Sequence, residues 1–129
     1  MDGFPIYVDP DEDYDGFCVY SKACDRKKAT STFLVHCLKV DMIGPLQIAQ
    51  ILREFLEYVE THIESDGFSK LVEEVIENVF IIATLCGKSL TSAGNWKNAV
   101  ERLAARRSEG LPSFSNRAAF KCMDILEQI

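Results

Sequence analysis

Apolar residues return every three or four positions along most of this chain, and glycine, proline or acidic turns bound each run. The clearest run is Ile48, Leu52, Phe55, Val59 and Ile63, at steps of four, three, four and four. Arg53, Glu54, Glu57 and Glu60 fall on the other side, which predicts a long helix with one buried stripe. Gly44-Pro45 opens it, proline being suited to a first helical position. After a Ser65-Asp66-Gly67 turn, Ser69 and Glu73 offer capping chemistry for a second run: Leu71, Val72, Val75, Ile76, Val79, Phe80, Ala83 and Cys86. Its middle, Val79-Phe80-Ile81-Ile82-Ala83, is apolar on every side. This helix is therefore expected to be the most buried, with Phe80 inside the core.

The remaining segments carry weaker patterns. Phe33, Leu34, Cys37 and Leu38 stripe a helix over residues 27–41, and Tyr14, Phe17, Cys18, Tyr20 and Cys24 permit a separate helix before it, though Gly16 counts against that. Ser92-Ala93-Gly94 breaks the chain, and Asn95 can cap a shorter helix bearing Trp96, Val100 and Leu103 on one side. Gly110-Leu111-Pro112 ends it. A last helix from about Ser115 places Ala119, Cys122, Leu126 and Ile129 together. No segment alternates with period two between hairpin turns, so strands are not expected. Helix pairs starting near residues 27, 69 and 113 recur at roughly the 40-residue spacing of HEAT-type repeats. The expected fold is all-α, a HEAT-like stack of antiparallel helical hairpins, with an irregular helical bundle as the alternative.

At 129 residues the chain suits one domain. Asp9-Pro10-Asp11-Glu12-Asp13 is too charged to bury and its prolines break helices, so residues 1–12 read as a flexible acidic lead to a domain over 13–129. The formal net charge of -6 disfavours nonspecific attraction to a nucleic-acid backbone. Lys97, Arg102, Arg106, Arg107, Arg117 and Lys121 nevertheless concentrate base near the end. No stretch reaches the roughly 20 apolar residues of a membrane span, and the first residues lack a secretory pattern. Five irregularly spaced cysteines suggest reduced thiols in a cytoplasmic protein.

Chemistry is sparse. Cys18, Cys24, His36 and Cys37 are soft ligands, but five and then eleven residues intervene, and His36 and Cys37 project about 100° apart on a helix. Neither a metal nor a cofactor is expected. His36 and His62, both read as surface residues, accompany no nucleophile motif, so the chain reads as a non-enzyme. Gly87-Lys88-Ser89 ends like a phosphate-binding loop, yet Ile82 stands where the first glycine is required and a helix precedes it. Lys97, Arg102 and Arg106 share a helix side, either as a solvated face or as a docking surface for an acidic partner or RNA phosphates.

Three stretches add a family likeness: Arg26-Lys27-Lys28-Ala29 ahead of Phe33-Leu34 and Met42-Ile43, then Gly87-Lys88-Ser89-Leu90, then Ser115, Arg117, Phe120, Asp124 and Leu126. In this order they resemble the later hairpins of the middle domain of the eukaryotic translation initiation factor 4 gamma family, over residues 26 to 128. Ala119 stands where that family has a second arginine, and its earlier hairpins have no counterpart here. The resemblance implies a non-catalytic adaptor in translation initiation that holds a DEAD-box RNA helicase, with RNA and other initiation factors as further candidate partners. Arg117 at a helix start opposes the macrodipole, a cost that a partner carboxylate would offset. Asn116, Arg117 and Lys121, with Lys97, Arg102 and Arg106, are thus the expected partner-binding residues; a local tie of Arg117 to Glu109 is the competing role. General protein scaffolding, or RNA binding through the basic cluster, are the alternative functions.

Overall fold

The computed structural model describes residues 4–86, 90 and 93–129, so Gly87-Lys88-Ser89 lies outside the described residues. Among them are five helices and no strand: α1 (Tyr14–Lys39), α2 (Pro45–His62), α3 (Ser69–Cys86), α4 (Trp96–Ala105) and α5 (Asn116–Gln128). None is long and apolar enough to cross a membrane.

The two segments expected before residue 41 are one helix of 26 residues. Gly16 does not interrupt it, because it lies in the first turn and donates its N–H to the Asp13 cap at 2.9 Å. A Cβ there would come within 2.3 Å of that carboxylate, which would have to turn aside for any larger residue. At the other end Asp41 takes a left-handed φ of 60°, with Asp41 N–H donating to Leu38 O and Met42 N–H to Cys37 O. That is a Schellman ending built on aspartate instead of glycine. The inward face of α1 also differs from expectation. It runs through Cys24, Ser31, Val35 and Cys37, with Leu34 and Leu38 half-buried; of the expected stripe only Phe33, 62% exposed, faces out.

Pro45 starts α2, where Gln47 Oε1 accepts the Gly44 N–H at 2.7 Å. Ile48, Leu52, Val59 and Ile63 are buried as the pattern predicts, and Phe55 is half-buried. α3 packs against α1, α2 and α5 and is the centre of the fold. Its Val72, Val75, Ile76, Val79, Ile82 and Ala83 are buried. Phe80, expected inside, is only half-buried; the Lys121 ammonium covers its ring at 4.2 Å. In α4, Trp96 is buried and donates its indole N–H to Leu90 O at 2.8 Å. Asn95 precedes α4 but makes no side-chain cap, whereas Ser115 does cap α5 through the Ala118 N–H.

The packing forms two layers, α1–α3–α5 and α2–α4, with α2 against α3 and α4 against α5. α1 scarcely touches α2, so the adjoining pairs begin at Pro45 and Trp96 and not at residues 27, 69 and 113. Polar links fix direction within each layer. Lys28 meets Glu74 at 3.9 Å and Ser31 Oγ donates to Asn78 Oδ1 at 2.6 Å, so α1 and α3 run parallel. Arg102 meets Glu60 at 3.0 Å and Arg106 meets Glu64 at 2.7 Å, so α2 and α4 are parallel too. Ser113 joins the two inter-helix loops: its N–H donates to Ile63 O, its hydroxyl to Ser65 O, and it accepts the Phe68 N–H.

The buried Ser31–Asn78 pair yields a direct comparison. Ser31→Ala strands the Asn78 carbonyl oxygen in the core and should cost about 1–3 kcal/mol. Phe33→Ala removes a larger but exposed side chain and should stay within about 0.5 kcal/mol of the unaltered chain. Urea unfolding midpoints measure both; a larger loss for Phe33→Ala would reverse the assigned face of α1.

Candidate functional site

The six expected partner-binding residues fall into two places. At α4 and its C-terminal cap, Arg102 is held by Glu60 of α2 and Arg106 by Glu64 just after α2, and Arg106 also meets Glu109 at 3.1 Å. Arg107 folds back to donate to Ala104 O at 2.9 Å, satisfying a carbonyl at the helix end. Lys97 is half-buried and makes no ion pair among the described residues. The basic side of α4 is therefore spent mainly on the acidic side of α2, and exposed pairs of this kind contribute little net stability each.

α5 presents a different surface. Asn116 and Arg117 are exposed in its first turn, just after the Ser115 cap. Lys121 is engaged, 3.5 Å from Glu77 and stacked over Phe80. Arg117 makes no ion pair among the described residues, and Glu109 is taken by Arg106. Arg117 borders a cleft of about 350 Å³ that also includes Asp25 and Lys28 of α1, Lys70 and Glu74 of α3, and Tyr20. Three cations thus converge from three neighbouring helices of one layer. Arg117 was expected at a binding surface; Lys28 and Lys70 were not. The signal that would have found them is a period: Lys28, Lys70 and Arg117 are spaced 42 and 47 residues apart.

The floor of the cleft is polar and tightly held. Tyr20 and Cys24 share a hydrogen bond, and Cys24 also engages Glu74. Burial, then the bond to Cys24, pushes the Tyr20 phenol up from its ordinary value, and burial likewise pushes the Cys24 thiol up. Neither group is poised as a nucleophile, since a thiol needs the opposite shift. One oxygen of Glu74, Oε2, is buried without a hydrogen-bond partner.

The other chemical candidates disperse. No three of the described His, Cys, Asp and Glu side chains gather into a metal-binding group. His36 is exposed whereas Cys37 is buried. His62 is not the solvated residue expected: it stacks on Tyr58 at 4.0 Å, meets Phe68 edge-on at 4.7 Å, and its Nδ1 lies 2.7 Å from Tyr58 O. A carbonyl only accepts, so Nδ1 carries the proton and the ring serves packing.

Comparison with protein-family models, curated proteins and solved structures finds no match to the chain.

Cys122 offers a chemical check on the packing. Burial pushes its thiol up to about 12 from an ordinary 9.0, which lowers its thiolate fraction near neutrality roughly a thousandfold. Under iodoacetamide at pH 8, mass spectrometry should find half-buried Cys18 modified well before Cys122. Comparable rates in the folded protein would contradict the core placement of α5.

Proposed function

We propose that this chain is a non-catalytic protein-binding scaffold of the helical-hairpin repeat type, and that its α1–α3–α5 layer receives the partner. One observation carries the reading. Most polar links between neighbouring helices or loops join residues 42 to 50 apart: 47 for Ser31–Asn78, 42 for Arg102–Glu60 and Arg106–Glu64, 45 for Phe68–Ser113, 48 for Ser113–Ser65 and 50 for Ser113–Ile63, with Trp96–Leu90 a local exception. Lys28–Glu74 and Lys121–Glu77 fall at 46 and 44. Such an offset, repeated in two parallel layers, is what a stack of HEAT-like units of about 40–47 residues requires. Repeat stacks bury one face against the next unit and offer the other as an extended binding surface.

In its narrower form the proposal names the partner as a DEAD-box RNA helicase, supported by the resemblance to the initiation factor 4 gamma middle domain. The residues of that likeness divide by role. Ser115 caps α5 and Leu126 packs against the core, so these serve folding. Arg117, Phe120 and Asp124 are exposed and available to a partner. The basic residues Lys27 and Lys28 lie in the interior of α1 and not ahead of a helix. An adaptor holding two helicase lobes in a productive orientation raises turnover by shifting populations, without touching ATP. RNA binding through the basic cluster gains no support, because Glu60 and Glu64 occupy Arg102 and Arg106.

Capture of a purified DEAD-box helicase, with and without RNA, tests this. The unaltered chain should retain helicase, and Arg117→Glu should weaken retention at least about tenfold while the melting temperature stays within a few degrees. The loss should shrink as salt rises, as for a screened charge contact. No retention in either condition removes the helicase as partner. Unfolding by Arg117→Glu would make the residue structural.

A further inference from the structure

The acidic lead is not loose in this structure: residues 4–13 lie along the helices, held by rings. The Phe4 ring meets Phe55 of α2 edge-on at 5.4 Å, with Lys27 Nζ 4.8 Å from its centre. Tyr7 meets Tyr20 of α1 edge-on at 5.4 Å, with Lys70 Nζ 5.7 Å away. Tyr7 and Pro10 then border the cleft that Lys28, Lys70 and Arg117 ring. Asp9 and Asp11 flank Pro10, and Glu12 and Asp13 follow, so an acidic segment runs beside Lys28, Lys70 and Arg117, with Asp25 and Glu74 in the same lining.

The same contacts are few. Among the described residues, the hydrogen bonds of the segment stay local: Glu12 and Asp13 N–H donate to Asp9 O, and Asp11 N–H to Asp9 Oδ1. Residues 4–8 make none to any helix, and Ile6 is 85% exposed. Ring and cation contacts at a surface are individually weak, so a segment held by them alone is displaceable.

We propose that the groove beneath residues 4–13 is a receptor for an extended acidic segment carrying spaced aromatic rings, that a partner protein supplies such a segment, and that the chain's own lead closes the groove in cis until displaced. This rests on the scaffold reading and adds the regulation of its binding surface. A tethered segment has an effective concentration of order millimolar, so weak contacts suffice to keep the groove shut against a dilute competitor. A partner that delivers its segment while docked elsewhere on the scaffold escapes that handicap.

The test uses a fluorescein-labelled peptide with the sequence of residues 4–15, titrated by polarisation against three full-length proteins. These are the unaltered chain, a Phe4→Ala/Tyr7→Ala variant and an Asp11→Lys/Glu12→Lys variant, with helix content checked by circular dichroism. The peptide should bind the first variant at least about tenfold more tightly than the unaltered chain, and adding Arg117→Ala should remove most of that gain. Because Asp11 and Glu12 are exposed, the second variant decides alone if the first loses helix; it should also bind more tightly. Equal binding to all three proteins, or no binding to a folded variant, overturns the proposal. So does a concentration-dependent dimer formed by exchanged leads, which would make a second copy the occupant. Helicase capture by the same proteins separates the two readings: intact capture without peptide preference sinks the strap alone, and loss of both sinks the scaffold with it.

Discussion

Asn78 lies at the middle of α3 with no exposed surface, and its carbonyl oxygen must be paired there or the fold bears the cost of a stranded polar group. Ser31 of α1 pairs it, and the Asn78 amide returns to Glu74 O in its own helix at 2.9 Å. Apolar stripes alone let two helices slide by a turn with little penalty. A buried hydrogen bond does not, because a one-turn slip leaves both partners unsatisfied. The register it sets between α1 and α3 aligns Lys28 with Glu74 and brings Tyr20 and Cys24 beside the start of α3. The geometry of the cleft follows from that one register, and α5 joins it through Lys121 and Glu77.

Charge divides the surface into a closed side and an open one. Glu60 of α2 and Glu64 just after it pair with Arg102 of α4 and Arg106 at its C-terminal cap, which stitches two parallel helices and engages two members of the basic cluster. On the other layer Lys28 has Glu74 only at 3.9 Å, Lys70 has Glu73 only at 4.0 Å, and Arg117 has no acid among the described residues. A chain with net charge -6 thus keeps a small positive rim, and its own acidic lead is the nearest match to it.

The long helices were legible in the sequence because their stripes are one-sided: α2, α4 and α5 bury the faces their apolar periods mark. Two kinds of pattern misled. In α1 the inward face includes Ser31, a polar residue paired across 47 positions, so hydrophobicity pointed to Phe33 instead. In α3 the middle is apolar on every side, and such a pattern carries no information about which side faces out; Phe80 and Ile81 are the residues left half-buried. The expected pairing of helices was not met, since α1 packs beside α3 and scarcely against its neighbour α2. At the candidate site Arg117 was found by its conflict with the helix dipole. Lys28 and Lys70 look like ordinary surface lysines until three parallel helices bring them together.

Native-state hydrogen exchange tests most directly whether α3 is the element on which the rest is built. Amides of residues 75–83 should open only with global unfolding, so their exchange free energies should equal the stability from urea unfolding and fall with it in Ser31→Ala. If those amides instead exchange well below the global value, or faster than those of α4, the α3-centred account of the fold is wrong.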